Sequence, residues 1–173
     1  MRIVVGDLPD RPLALAGTVE VVLAGGGEAN ELVVREPVAY DLTLLKGESS
    51  VRVEGRIQAL VEASCGRCAK RFPVEVDRRF CAVFAAAEAG EGVRPREFDT
   101  DDLDLDYYEG EAIDGVRLLA EQIILALPMK ILCAEDCKGL CPACGADLNH
   151  TDCDCEPDID PRWDSLKGLR DQL

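Results

Sequence analysis

Five cysteines fall within nineteen residues of this sequence, in the stretch CKGLCPACGADLNHTDCDC at 137–155. The other four of the nine are Cys65, Cys68, Cys81 and Cys133. Closely spaced cysteines form disulfides in secreted proteins, whereas in reducing compartments they more often bind metal. The division of these thiols between the two uses therefore constrains the fold and the function more than any other feature.

Composition and charge narrow the classes of protein that the sequence fits. Hydrophobic residues make up 47% of the 173, enough for a packed core, and no apolar run approaches the roughly 20 residues of a membrane-spanning helix. The start, MRIVVGDLPDRP, predicts no secretory signal, so we expect a cytoplasmic protein without membrane contact. The net charge of −15 disfavours nucleic-acid binding over a broad face and favours a basic partner or one local basic patch.

Two long stretches of alternating apolar and charged residues predict a β-hairpin. Residues 51–64 and 72–84 each place apolar side chains on one face, with a slip of the alternation near Ala59 and Leu60 in the first stretch. Arg78 interrupts the apolar face of the second stretch. The residues between them, CGRCAKR at 65–71, put a C-x2-C pair at the tip of the hairpin.

An acidic segment and a helical segment follow the hairpin. Residues 88–111 hold ten acids against two arginines, a pattern typical of a solvated loop. Residues 113–128 carry apolar side chains at helical spacing, with Asp114 as the N-cap and Pro128 at the end. We therefore expect one main helix that covers the predicted sheet.

The spacing C-x2-C is a common source of two zinc ligands, because both sulfurs can turn toward one ion while backbone N–H groups face the thiolates. Cys141 and Cys144 have this spacing, and Gly145 after them is free to adopt a positive φ. Cys153 and Cys155 follow within reach. These four cysteines can therefore close a local metal site.

The remaining cysteines supply a second set of ligands. Cys65 and Cys68 form another C-x2-C pair, and Cys133 and Cys137 come directly after the predicted helix. If that helix returns along the hairpin, its end brings the later pair to the earlier one and leaves Cys81 as an ordinary strand thiol. Eight thiolates fit zinc or an iron–sulfur centre better than magnesium or calcium, and we expect two zinc ions.

Alternatives remain open for these ligands. Cys133, Cys137, Cys141 and Cys144 could instead form one site. Cys153 and Cys155 would then share the other site with the hairpin pair. His150, the only histidine, could replace one of the last two cysteines, although a polar loop residue is its simpler interpretation. A redox role for the hairpin pair is disfavoured, because a redox C-x-x-C opens a helix and strands flank this one.

Neither predicted site has an open ligand position or a nearby base, so we predict a protein that is not an enzyme. Residues 52–79 carry a local positive charge that opposes the overall charge. Zinc knuckles with flanking cations can bind RNA, and a solvated strand face is the simpler alternative. The candidates for RNA contact are Arg67, Lys70, Arg71, Arg78 and Arg79.

The order of strand, CGRCAKRF, strand, acidic segment, IILALP, CAEDCKGLCPACGADLN and CDC resembles the bacterial YceD-like family. Its members are known as large-subunit ribosomal RNA accumulation proteins. The likeness covers residues 38–170 and is strongest at CKGLCPACGADLN. It implies a cytoplasmic bacterial protein needed for normal levels of large-subunit ribosomal RNA, and it brings no established enzyme activity.

Together these patterns predict an α+β protein. We expect an antiparallel, partly barrelled β-sheet covered by one main helix at 1–132, a cysteine-rich zinc-binding module at 133–157 and a short C-terminal helix at 158–173. The leading hypothesis is a non-enzymatic ribosome-biogenesis factor that acts on pre-ribosomal RNA or a nascent large ribosomal subunit. The alternatives are an acidic chaperone that docks a basic ribosomal protein on 88–111 and, third, a thiol-redox or metal-sensing protein.

Overall fold

The computed structural model describes residues 1–23, 32–87 and 105–155, together with Arg162. The described chain is mostly β-strand with one α-helix, as predicted. A short 3-10 helix follows the first strand. The strands and the helix, in chain order, are β1 (Arg2–Val4), β2 (Leu13–Val19), β3 (Val33–Val34), β4 (Val38–Lys46), β5 (Ser50–Ser64), β6 (Arg71–Ala86), β7 (Leu105–Tyr108), β8 (Ala112–Asp114) and α1 (Gly115–Ala126).

The chain divides into two compact units. The first unit contains Met1–Ala63 and Phe72–Met129, and the second contains Ser64–Arg71 and Lys130–Leu173. The chain therefore enters the second unit twice, once at the turn between β5 and β6 and again after α1.

The first unit contains an open, mainly antiparallel sheet. β2 pairs with β4, β4 with β5 and β3 with β5, all antiparallel. The strand order is β2-β4-β5-β6-β7, and only β6 and β7 among the described pairs are parallel. β1 and β8 form a separate antiparallel pair. The predicted antiparallel sheet is confirmed in this sense, but β2 and β7 end the strand order and the sheet is not a closed barrel.

The long strand β5 alternates over its whole length. The slip of the sequence pattern near Ala59 and Leu60 does not interrupt the strand, because Gly55 and Ala59 lie on the same face as the buried residues. Gly55 is required for close packing: an added Cβ would collide with the Leu42 side chain and lie 3.1 Å from Cε1 of Phe80. The fully buried residues of β5 are Val51, Val53, Ile57, Val61 and Ala63.

Polar contacts cross from β5 to β6 on the exposed face of the sheet. Arg56 Nε donates to Asp77 Oδ1 at 2.7 Å, and Arg52 Nε donates to Cys81 Sγ at 3.2 Å. From the first contact to the second, the residue number falls from 56 to 52 on β5 and rises from 77 to 81 on β6, as expected for an antiparallel hairpin. The Arg56 guanidinium lowers the pKa of the Asp77 carboxyl, but both side chains are about half exposed and solvent screens the pair.

The helix α1 begins at the predicted N-cap. The Asp114 carboxylate accepts hydrogen bonds from the N–H groups of Val116 at 2.9 Å and Arg117 at 3.2 Å. The helix ends at Ala126, two residues before Pro128. The two hydrogen bonds of the Asp114 carboxylate satisfy N–H groups that the first turn of a helix leaves without intrahelical partners.

The helix and the sheet share one hydrophobic core. Leu118, Leu119 and Ile123 of α1 are buried in the same cluster as the inward residues of the sheet. Arg78 lies on the face of β6 that is directed toward the core. Its Nη1 donates to the carbonyl oxygen of Leu125, near the end of the helix, at 2.6 Å. A cation at this place satisfies a C-terminal carbonyl and opposes the negative end of the helix dipole.

Part of the predicted acidic loop at 88–111 forms a strand instead, and a second strand follows directly after that loop. Residues 105–108 form β7, and residues 112–114 form β8. Acidic side chains on an edge strand such as β7 oppose pairing with another chain. Residues 88–104 of that loop and the predicted helix at 158–173 lie outside the described residues, apart from Arg162. Within the described residues, no helix is both long and apolar enough to span a membrane.

Candidate metal centres

Eight of the nine cysteines lie in two groups, both in the second unit. The four sulfurs of each group all lie within 4.8 Å of one another. Group 1 consists of Cys65, Cys68, Cys133 and Cys137. Group 2 consists of Cys141, Cys144, Cys153 and Cys155.

These groups contain the same cysteines as the two sites predicted from the sequence, and their role as metal ligands stays a prediction. The alternative site that mixes the pair after the helix with the pair at 141–144 is not the arrangement in the structure. His150 belongs to neither group, and its Nε2 lies 3.9 Å from Asp147 Oδ2. Cys81 is exposed on β6.

The sulfur–sulfur distances fit a single tetrahedral ion. Cys65 Sγ lies 3.8 Å from Cys137 Sγ, and Cys68 Sγ lies 3.7 Å from Cys133 Sγ. A disulfide bond would require about 2.05 Å, and all nine cysteines are free thiols. Because a zinc–sulfur bond is about 2.3 Å long, the edge of a regular ZnS4 tetrahedron is about 3.8 Å. The donor set and its spacing therefore fit a bound ion.

Both C-x2-C pairs form the same turn. The residue after the second cysteine donates its N–H to the carbonyl of the first: Ala69 to Cys65 at 2.9 Å, and Gly145 to Cys141 at 2.8 Å. The first cysteine of each pair also donates its own N–H to the carbonyl oxygen five residues later: Cys65 to Lys70 at 2.9 Å, and Cys141 to Ala146 at 2.8 Å. Ala69 has a φ of +57° and Gly145 a φ of +74°, which confirms the positive φ predicted for Gly145.

The two turns have alanine and glycine at the same left-handed position, so replacing each by the other should change the stability of the second unit in opposite directions. A left-handed conformation costs an L-residue about 1–2 kcal/mol, which outweighs the roughly 0.4–1 kcal/mol of extra chain entropy that glycine loses on folding. We expect Ala69→Gly to stabilise the second unit by about 0.5 kcal/mol and Gly145→Ala to destabilise it by about 1 kcal/mol. Amide hydrogen exchange of the metal-loaded protein measures both, and effects of the same sign would contradict the shared geometry.

One thiolate in each group is favoured by the main chain. Backbone N–H groups, that of Cys133 foremost, lower the pKa of Cys65 to about 6, and those led by Cys144 lower the pKa of Cys141 to about 6. Burial raises the pKa of Cys133 to about 12, and the hydrogen bond with the Cys144 sulfur raises the pKa of Cys155 to about 12. Four thiolates cannot gather without a cation, so metal binding would drive the later deprotonations.

The two groups differ in their exposure to solvent. Three of the four thiols of group 1 are buried, and the fourth, Cys133, is partly buried. In group 2 only Cys141 is buried, while Cys144 and Cys155 are exposed. Group 2 is therefore the more accessible to chelators and oxidants.

Arg67 ties the hairpin turn to the segment that carries the later cysteines of group 1. Its Nη1 donates to the carbonyl oxygens of Glu135 at 3.1 Å and Cys137 at 2.7 Å, and its own carbonyl accepts from Leu140 N at 3.1 Å. Gly139 has a φ of +81°, and an added Cβ there would lie 3.0 Å from the Arg67 carbonyl oxygen. Sequence reasoning missed this role, although the position of Arg67 between two ligands was a signal for it.

The other cations predicted to contact RNA are placed differently. Lys70 and Arg71 are exposed in the second unit, and Arg79 is exposed in the first. Arg78 is half-buried and bonded to the end of α1, as described above.

Asn149 is a further residue that sequence reasoning missed. Its Oδ1 accepts a hydrogen bond from Lys138 N at 2.8 Å, and its Nδ2 donates to Cys137 Sγ at 3.5 Å. The side chain of a residue in the group 2 loop thus contacts a thiol of group 1. The only signal in the sequence was its place at the end of CKGLCPACGADLN.

The first unit contains an acidic cleft between β7, β8 and α1, with a volume of about 240 Å³. Arg117 Nε donates to Glu121 Oε1 at 2.7 Å, so this carboxylate is partly neutralised. The exposed ring of Tyr107 is also part of the lining. The acidic residues that line the cleft are Asp106, Glu109, Asp114 and Glu121.

Comparison with known proteins supports the resemblance seen in the sequence. The family model described as "Large ribosomal RNA subunit accumulation protein YceD" matches residues 53–170, which include all nine cysteines. No solved structure matches the chain.

Curated relatives match nearly the whole chain at low identity. The Zea mays protein "Large ribosomal RNA subunit accumulation protein YCED homolog 1, chloroplastic" is 26% identical over 97% of this chain and 65% of its own length. The Arabidopsis thaliana protein of the same name is 23% identical over 79% of this chain and 50% of its own length. An uncharacterised protein of Mycobacterium tuberculosis is 26% identical over 96% of this chain and 79% of its own length. The chain thus spans between half and two thirds of these plant proteins.

Proposed function

Because this chain belongs to the YceD family of large ribosomal RNA subunit accumulation proteins, we propose that it is a non-enzymatic factor in ribosome biogenesis. It supports the accumulation of large-subunit ribosomal RNA by acting on pre-ribosomal RNA or a nascent large subunit in a bacterial cytoplasm. The observation that carries the proposal is the family match over residues 53–170, which includes both cysteine groups.

In this proposal each group binds one zinc ion that stabilises the second unit. Sulfur–sulfur distances of 3.7–3.8 Å in group 1, and of no more than 4.8 Å in group 2, support one ion per group, because cysteines that bind different irons of a cluster stand farther apart. A bound zinc ion supplies the positive charge that keeps four thiolates deprotonated together. The main-chain N–H groups around Cys65 and Cys141 orient the first thiolate of each group. Metal analysis of protein purified under reducing conditions should find two zinc ions per chain.

RNA contact is assigned to the exposed cations of the hairpin. Lys70 and Arg71 are suited to phosphate contact in the second unit, and Arg79 is a further candidate in the first. The guanidinium groups of Arg67 and Arg78 donate to main-chain carbonyls, so these two arginines also have a structural role. Phosphate contacts of this kind bind without reading sequence and are sensitive to salt.

Charge reversal at the turn tests this assignment. We expect Lys70→Glu/Arg71→Glu to weaken binding to large-subunit precursor RNA at least tenfold and to reduce the salt dependence of log K by about 2, one for each lost phosphate contact. Filter binding at several salt concentrations measures both quantities. The matched control is Arg2→Glu/Arg11→Glu, which makes the same charge change at two exposed arginines of the first unit. Equal effects of the two variants would show that RNA binding depends on the net charge of the chain and not on Lys70 and Arg71.

The same variants test the biological role in cells. If Lys70→Glu/Arg71→Glu replaces the natural chain, we expect lower steady-state levels of large-subunit ribosomal RNA than with the Arg2→Glu/Arg11→Glu control. Normal levels with a stable, zinc-loaded variant would show that these cations do not carry the function.

A second candidate function is favoured by the acidic cleft of the first unit. A cleft lined by Asp106, Glu109 and the exposed Tyr107 suits a lysine or arginine side chain of a basic ribosomal protein, through charge and ring contacts. Neutralisation by Asp106→Asn/Glu109→Gln should then abolish co-purification of that protein without changing RNA binding. Unchanged co-purification would reject the cleft as its docking surface.

A further inference from the structure

A short linker of three residues, 138–140, connects the last cysteine of group 1 to the first cysteine of group 2. The linker packs against the group 2 loop between Cys144 and Cys153. Leu148 N donates to the carbonyl oxygen of Gly139 at 2.9 Å, and Leu140 forms an isolated antiparallel β-bridge with Asp147 of the same loop. The position of this loop therefore depends on how group 2 is closed.

Asn149 extends this contact to a sulfur of group 1. Its Oδ1 accepts from Lys138 N at 2.8 Å, while its Nδ2 donates to Cys137 Sγ at 3.5 Å. The same Nδ2 donates to Asp147 Oδ1 at 2.7 Å. The backbone N–H donor of Lys138 requires the amide oxygen on its side, so all three contacts agree on one orientation of the amide.

The loop itself holds this amide in place. The backbone N–H of Asn149 donates to Asp147 Oδ1 at 2.9 Å, so one carboxylate oxygen binds both nitrogens of the same residue. Asn149 is otherwise exposed to solvent, so its truncation leaves no cavity in a core. An effect of truncation on metal binding would therefore arise from these polar contacts.

An N–H group that donates to a thiolate ligand stabilises the thiolate and hence its bond to the metal. Partners of this kind, one shell beyond the ligands, typically change metal affinity 10–100-fold. Here the donor comes from the loop of one group and the thiolate belongs to the other group.

We propose that Asn149 couples the two metal centres, so that a metal ion bound by group 2 increases the affinity of group 1 for its own ion. The inference rests on the metal sites proposed above. An ion in group 2 fixes Cys153 relative to Cys141 and thereby holds the intervening loop, with Asn149, against Cys137. Since coupling between two sites is reciprocal, an ion in group 1 strengthens group 2 by the same factor.

The coupling is measured by zinc titration of the full chain in competition with a chelator. The native chain gives the overall constant for filling both groups. Cys153→Ser/Cys155→Ser gives the constant of group 1 alone, and Cys65→Ser/Cys68→Ser gives that of group 2 alone. The overall constant divided by the product of the two single-group constants is the coupling factor. We expect a factor of about ten in the native chain.

The decisive variant is Asn149→Ala, which keeps all eight ligands. We expect its overall zinc-binding constant to fall about tenfold and its coupling factor to approach one. Thr151→Ala, an exposed position in the same loop, is the matched control and should leave both unchanged. A native factor of one, or an overall constant that Asn149→Ala does not lower, overturns the proposal. If a single-group variant takes up no metal, the comparison of Asn149→Ala with Thr151→Ala decides alone.

Cobalt spectra separate the proposed contact from a loss of structure. Asn149→Ala should shift the sulfur-to-cobalt charge-transfer band, because the thiolate loses a donor, while the tetrahedral d–d bands keep their intensity. A loss of intensity in both sets of bands would show a damaged site instead and would contradict the proposal. A native chain that binds fewer than two metal ions would refute the proposed metal sites themselves, whereas two ions without coupling would refute only the role of Asn149.

Discussion

Removal of the metal is expected to unfold the second unit while the first unit stays folded. The second unit lacks an apolar core among its described residues, and the hydrophobic cluster of the molecule consists of residues of the first unit. Structural zinc contributes about 10–16 kcal/mol to the folding of small peptide sites, several times the effect of a typical single substitution. The buried side chains described in the second unit are those of Cys65, Cys68, Cys137 and Cys141.

Hydrogen exchange read by mass spectrometry, with and without a strong chelator under reducing conditions, measures this effect unit by unit. Amides of 130–155 should lose their protection after chelation, whereas those of β4, β5 and α1 should keep it. Cys65→Ser should reproduce the loss around group 1. The matched control is Cys81→Ser, which removes an exposed thiol outside both groups and should change nothing. Protection that survives metal removal would show that hydrogen bonds alone maintain the second unit.

Leu119→Ala is expected to lower the free energy of unfolding of the first unit by about 2–5 kcal/mol. Leu119 is fully buried, with 0% of its surface exposed, at the contact between α1 and the sheet. Truncation removes apolar contacts and leaves a cavity, and the long strands around it can collapse only in part. Urea unfolding followed by far-UV circular dichroism of the metal-loaded protein measures the change.

The control for this prediction lies on the same helix. Leu125 is 62% exposed, and the substitution keeps the main-chain carbonyl that accepts from Arg78, so Leu125→Ala should change the free energy of unfolding by less than about 0.5 kcal/mol. The two variants share the same chemical change and differ only in burial. Similar losses for both would contradict the packing of α1 on the sheet.

The hairpin and the helix could be predicted because their signals are local. The alternation of β5 has a period of two residues, and it persists past Ala59 and Leu60, where the sequence pattern slips. The N-cap at Asp114 depends on two N–H groups within three residues. Such features act over a few residues, so inspection of the sequence can find them.

The edge of the sheet could not be predicted in the same way. Residues 105–108 lie in a strongly acidic segment, yet they form β7 because β6 offers an unpaired edge, with Val83 opposite Leu105. Composition favoured a loop, and tertiary pairing overrode it. The two arginines bonded to carbonyls show a similar limit, because the acceptors of Arg67 and Arg78 lie 47 or more positions away along the chain.

By itself, the sequence determined the pairs of thiols, the two turns that present them, the strands of the hairpin and the main helix, since spacing and periodicity act within one element. Only the tertiary structure decided which pairs share a centre and which side chains connect the two centres. Cys65 and Cys137 lie 72 positions apart in the chain, and their sulfurs come within 3.8 Å only after the chain has folded. The contact of Asn149 with Cys137 joins residues that lie 12 positions apart and likewise depends on how the loop between them folds.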